Sequence, residues 1–68
     1  MADVFKGLDT SSRIRGILAS RGKTQAELAH LLRITPETIS SRMKSNKWEV
    51  AELLVIAEAY GLDTKDLL

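Results

Sequence analysis

Two helix-start signatures, Thr24 and Thr35, stand eleven residues apart and constrain this chain more than any other feature. Thr24-Gln25-Ala26-Glu27 fits a capping box, in which the threonine hydroxyl takes the amide of the third helical residue and the glutamate reaches back to the threonine amide. Thr35-Pro36-Glu37 is a second start. Threonine is its N-cap, proline sits where a missing N–H costs nothing, and the carboxylate lies near the positive end of the helix dipole. The apolar stripe between them, Leu28, Leu31 and Leu32 with the small Ala29, must end near Leu32 or Arg33. The spacing predicts about eight residues of helix, a three-residue link and a second short helix ending near Lys44 to Asn46, with Ile39 and Met43 as its buried edge.

The flanking sequence predicts three further helices and no strand. The first runs from about Asp9 to Ser20 with Ile14, Ile17 and Leu18 on one face, and stops at Arg21-Gly22. Gly16 inside it costs about 1 kcal/mol relative to alanine, which close approach of a neighbour would explain. Another begins near Glu49 or Val50 with Glu52 in its first turn and ends at Gly61. Its wide stripe of Val50, Leu53, Leu54, Ile56, Ala57 and Tyr60 reads as the central core helix. A short last helix, capped by Asp63 with Asp66 at its third position, returns Leu67 and Leu68 to the core. The leading Val4-Phe5-x-x-Leu8 is an apolar arm for the core or for a second subunit.

At 68 residues this is a single domain, residues 1–68, with a small core. A chain of that size buries roughly 60% of its unfolded surface. Hydrophobic residues at 44% and charged residues at 28% are ordinary for a globular domain and argue against disorder. The absence of cysteine excludes disulfides and thiol chemistry, and a single histidine argues against a structural zinc site. No metal or cofactor is expected. The apolar run Leu53–Ala57 falls far short of the ~20 residues that span a bilayer, and no signal peptide opens the chain, so the cytoplasm is the expected compartment.

The formal net charge of +1 hides its distribution. Residues 13–47 hold eight basic side chains (Arg13, Arg15, Arg21, Lys23, Arg33, Arg42, Lys44, Lys47) against Glu27 and Glu37, a net +6 between acidic ends. Such a middle suits a polyanion; it is also what a lopsided solvated surface looks like. The face opposite Ile39 and Met43 offers Glu37, Thr38, Ser40, Ser41 and Lys44. Serine and threonine are middling helix formers, so they are a poor choice for solubility alone, yet they suit hydrogen bonding to base edges in a major groove about 12 Å wide.

These stretches resemble the phage repressor and Cro type of DNA-binding protein. The resemblance rests on Thr24-Gln25-Ala26-Glu27-Leu28-Ala29 and Ile34-Thr35-Pro36-Glu37-Thr38-Ile39-Ser40. Ser11-Ser12-Arg13-Ile14, Ala57-Glu58-Ala59-Tyr60-Gly61-Leu62 and Leu67-Leu68 fit the same family, so it covers residues 11–68. Trp48-Glu49-Val50-Ala51-Glu52-Leu53 is similar to members found in actinobacteria and their phages. The resemblance implies an all-α, five-helix, lambda-repressor-like domain with a central helix-turn-helix at about residues 24–45. It further implies a transcriptional regulator, most often a repressor, that binds double-stranded DNA as a homodimer on a palindromic operator. By position, Pro36, Glu37, Thr38 and Ser41 fall where the family reads bases. Ser40, Lys44, Asn46 and Lys47 fall where the helix end and following loop meet the DNA backbone, and Gln25 and Arg13 also fall where the family meets phosphates.

Two positions depart from the family pattern. Arg33 stands where the turn usually has glycine, so either it takes a positive φ at a cost of about 1 kcal/mol or the turn differs; its charge is also a candidate phosphate contact. Arg42 stands at a usually apolar position and is expected to run its stem along the core edge. That leaves Ser40 and Ser41 as alternative base readers. Glu37 is either a base reader or a helix-dipole partner. His30 reads as surface or core edge, Trp48 as an anchor for the following loop, and Tyr60 as core with its hydroxyl outside. No nucleophile–base pair is present, so an enzyme with a small-molecule substrate is not expected. The competing reading is a small helical protein–protein interaction module, such as an antitoxin or phage accessory factor, using Val4, Phe5 and Leu8 or the acidic fourth helix. Stacking on RNA bases is disfavoured by the scarcity of aromatic residues, which are Phe5, Trp48 and Tyr60.

Overall fold

The computed structural model describes residues 9–67. The expectations for Val4, Phe5, Leu8 and Leu68 concern residues outside them. Four α-helices are formed: α1 Thr10–Ser20, α2 Gln25–Leu32, α3 Pro36–Ser45 and α4 Val50–Tyr60. No strand occurs among the described residues, and no described helix is long and apolar enough to cross a membrane. The predicted fifth helix is a single 3-10 turn, Thr64–Asp66. Three residues between Asp63 and Leu67 leave no room for a full α-helical turn to propagate, yet the turn suffices to bury Leu67 completely.

Side-chain caps set the helix starts. Asp9 accepts the Ser12 amide at 2.8 Å, Thr24 the Glu27 amide at 3.1 Å and Thr35 the Thr38 amide at 3.2 Å. Glu27 does not reach back as the capping box predicts. It receives the Thr24 hydroxyl at 3.4 Å and lies 3.7 Å from Lys23, so its carboxylate is drawn along the helix side. Left-handed residues set the stops of α2, α3 and α4: Arg33 (φ 60), Asn46 (φ 59) and Gly61 (φ 66). Arg33 therefore takes the positive φ, and the chain turns within Arg33–Thr35 with the Ile34 amide returned to the Ala29 carbonyl at 3.0 Å.

The core is Ile14 and Leu18 of α1, Leu28 and Ala29 of α2, Ile39 and Met43 of α3, Leu53, Ile56 and Ala57 of α4, and Leu67. The prediction for α4 needs correction. Val50 is 68% exposed and Leu54 51% exposed, and neighbouring Val55 is 42% exposed. This helix is apolar nearly all round, so periodicity marks no unique inner face. Packing against α2 and the last turn selects Leu53, Ile56 and Ala57. Gly16 also has no close neighbour: a Cβ built there meets nothing within 4 Å.

Candidate functional site

The outer face of α3 is built on two buried residues four apart. Ile39 and Met43 face the core, so Glu37, Ser40, Ser41, Lys44 and Ser45 are turned outward and line one shallow depression. All five are exposed. Both serines that the sequence left as alternatives lie in this one stripe. Pro36 is exposed at the helix start. Thr38 is half-buried, and its hydroxyl is paired with that of the N-cap Thr35 at 2.9 Å, which ties it into the capping arrangement.

Two sets of contacts hold α3 from behind. The first centres on Ser11, which is 1% exposed. Its amide donates to Asn46 Oδ1 at 2.9 Å, its hydroxyl donates to the Arg42 carbonyl at 3.3 Å, and it accepts from Trp48 Nε1 at 2.9 Å. One small side chain therefore ties the start of α1, the end of α3 and the following loop. Trp48 packs against the core while making this bond. The second set centres on Arg42, whose Nε donates to Glu52 Oε2 at 2.7 Å and whose terminal nitrogen lies 3.4 Å from Glu49 Oε2. The other oxygen of Glu52 accepts the Glu49 amide at 2.9 Å. Glu52 thus caps α4 and holds α3 at once, with its side chain only 12% exposed. Arg42 is not merely a stem along the core edge; it is a charged strut between helices.

The remaining candidates are distributed unevenly. Gln25 is exposed as the first residue of α2. Lys44 and Lys47 are exposed on either side of Asn46, beside the start of α1, and neither makes an ion pair among the described residues. Asn46 uses its side-chain oxygen on the Ser11 amide, a structural task that its sequence position alone does not reveal. Arg13 is half-buried and lines a depression with Leu62 and Asp66. Arg15, four residues after Ser11 and so on its side of α1, is exposed and lies close enough to Asp9 to help lower its pKa. Arg33 is exposed at the turn.

The net +6 of the middle is not all available to a ligand. Arg21 donates to the Tyr60 carbonyl at 2.8 Å and lies 5.8 Å from the ring centroid of Tyr60. Lys23 pairs with Glu27, and Arg42 with Glu49 and Glu52. Burial of Tyr60, with Glu27 nearby, holds its phenol above the ordinary pKa. Apart from Arg21, which is held by Tyr60, the exposed cations of this middle without an ion pair among the described residues are Arg15, Arg33, Lys44 and Lys47. Searches against protein-family models, curated proteins and solved structures return no match for the chain.

Proposed function

We propose that this chain is a sequence-specific DNA-binding regulator of the phage repressor and Cro type, with α2 and α3 as its helix-turn-helix. The observation that carries the reading is the outer face of α3: Glu37, Ser40, Ser41, Lys44 and Ser45, with no apolar side chain among them, on a helix anchored by Ile39, Met43 and Arg42. A face of short hydrogen-bonding groups is narrow enough to enter a major groove about 12 Å wide. The bonds of Ser11 and Glu52 fix the helix before contact, so little ordering cost falls on binding.

Roles follow from chemistry. The Glu37 carboxylate accepts from cytosine N4 and repels phosphate, which penalises a wrong docking register. Ser40 and Ser41 take hydrogen bonds from either base edge. Pro36 and Thr38 set the approach of the helix start. Lys44 and Lys47, with Gln25, Arg13 and the side-chain nitrogen of Asn46, serve phosphates, while Arg33 lies off this face, on the rim of a groove between α2 and α4. Arg15 joins the phosphate contacts because it is exposed. A monomer of this size offers few contacts. Two copies on a palindrome with half-sites about 34 Å apart double them, giving promoter occupancy and transcriptional control.

The test is binding to random duplex DNA across a salt series, followed by selection of bound sequences. A steep fall of affinity with salt and an enriched palindrome are expected. Glu37→Ala then relaxes preference at one base pair, by about 1–3 kcal/mol of discrimination, while Lys44→Ala weakens all sites alike. Absence of binding, or binding without a salt slope, overturns the reading. In that case a protein-interaction module is favoured, and the specific observation behind it is the exposed apolar face of α4.

A further inference from the structure

The outer side of α4 presents Ala51, Leu54, Val55 and Ala59 at helical spacing, with Val50 beside them. All are exposed, and Leu31 of α2 joins Leu54 and Val55 in a groove between the two helices. The inner side of the same helix already fills the core with Leu53, Ile56 and Ala57. A helix apolar on both sides belongs between two layers, and this one has a layer on one side only. None of the residues lining the groove lies on the outer face of α3.

The charges on the groove say what covers it. Its two depressions share Leu31 and Val55. One is lined by Ala51, Glu52 and Arg33, the other by Glu58 and Ala59. Glu52 is spent on Arg42 and on its own helix start. Arg33 and Glu58 make no ion pair among the described residues. The groove is therefore positive at the end near Ala51 and negative at Glu58, seven residues and about 10 Å further along α4. A surface with an apolar centre and opposite charges at its ends is complementary to itself turned by 180°.

We infer that this groove is a two-fold interface between two copies of the chain, with α4 packed antiparallel on α4. An axis passing between Leu54 and Val55 sets Leu54 of one copy on Val55 of the other. It also brings Arg33, beside Ala51, to Glu58 of the second copy, twice. The choice of a second copy over a different protein rests partly on the DNA-binding reading, which calls for a two-fold dimer; the surface itself rests on α4 with Leu31 and Arg33 beside it. Three large apolar side chains on one helix cover much less than the roughly 800 Å² per partner of a standard stable interface. The dimer is accordingly weak in free solution, with a Kd on the order of 10–100 μM.

Sedimentation of the full chain without DNA, from about 1 μM to about 1 mM, tests this. A concentration-dependent monomer–dimer equilibrium is expected, abolished by Leu54→Ser together with Val55→Ser. Both sites are exposed, so helicity by circular dichroism should be unchanged. Glu58→Arg should weaken the dimer about tenfold, and Arg33→Glu added to it should restore the affinity. A chain monomeric throughout the range, or a dimer indifferent to all four substitutions, overturns the inference and leaves the groove to a different protein. Either result is separate from the DNA reading: the doubly substituted monomer should still bind duplex DNA with a salt slope, and loss of that binding in the unmodified chain would sink only the DNA reading.

Discussion

The outer faces of α3 and α4 are both open to solvent, and they are made of opposite materials. α3 turns out Glu37, Ser40, Ser41, Lys44 and Ser45; α4 turns out Val50, Leu54 and Val55. The α3 face gains nothing from burial for its own sake, so its value lies in where hydrogen-bonding groups are placed. Placement explains why its far side is held so firmly, by Ile39 and Met43 in the core and by the bonds of Arg42 and Ser11. The α4 face has little to position and surface to hide. Exposed leucine and valine forgo up to roughly 1.5–3 kcal/mol each that full burial would return. On the proposals above, one face would recognise by pattern and the other by removal from water, and the 68-residue chain keeps the two apart.

The largest effects come from attacking the supports of α3 while leaving its face intact. Ile39→Ala should cost about 3 kcal/mol, because Ile39 is fully buried and the cavity lies under the outer polar stripe of α3. A domain of this length has on the order of 3–10 kcal/mol in total, so urea denaturation should show a strongly lowered midpoint. Its exposed neighbour Ser40→Ala should stay within about 0.5 kcal/mol in the same titration. Equal costs at the two positions would mean that α3 is not anchored as described.

Glu52→Ala comes next. It removes an α4 cap and strips the Arg42 strut of its shortest partner, at 2.7 Å, so about 2 kcal/mol of stability should be lost. Because the strut joins the two helices under comparison, DNA binding should weaken beyond what the lost stability explains. Glu49→Ala, at the longer and more exposed contact, should cost less than half as much.

How much of this was legible depends on the distance over which each feature is decided. The helix starts at Thr24 and Thr35 were plain, because a cap is a contract between residues three apart. The outward stripe of α3 was plain too, since Ile39 and Met43 mark its inner edge unambiguously. The face of α4 was not, because Leu53 and Leu54 are equally apolar and only the neighbouring helices decide between them. Nothing local marks Ser11 as a buried residue; its burial depends on a loop 35 to 37 residues away. Arg42 carries a usable signal, an arginine on an apolar edge with two glutamates opening the next helix, yet only the packing of α3 on α4 decides that they pair. The charge count misled for the same reason: it cannot tell Lys44, which faces solvent, from Arg21, which is spent on Tyr60.

Arg33 belongs to both regions, as the turn before α3 and as a rim of the α4 groove. Its left-handed backbone costs about 1 kcal/mol that glycine would not pay. Arg33→Gly should therefore raise the stability of the folded chain by about that much in thermal or urea unfolding. The same substitution should weaken self-association several-fold. Opposite signs in the two measurements would show that the cation is kept for contact and not for the fold; a loss of stability would mean that the side chain packs in a way its exposure does not indicate.

The smallest effect separates the regions by pH. Asp9 accepts the Ser12 amide, and this bond, ahead of the Ser12 hydroxyl and the charge of Arg15, holds its carboxyl below the ordinary value of 3.8. A carboxyl lowered in the folded state binds protons more readily when unfolded. Its contribution is therefore complete above pH 3.8 and lost as pH falls through the lower folded value. Asp9→Asn should remove that part of the acid dependence, so the difference in stability between the two proteins should be constant above about pH 5 and shrink below pH 4. Asp9 starts the helix whose Ser11 braces the end of α3, so amide exchange at Ser12 and Asn46 should quicken first as acid is added. Exchange along the middle of α4 should not follow at the same pH. If Leu54 and Val55 loosened together with Ser12, the acid response would be global unfolding and the two faces would not be separately supported.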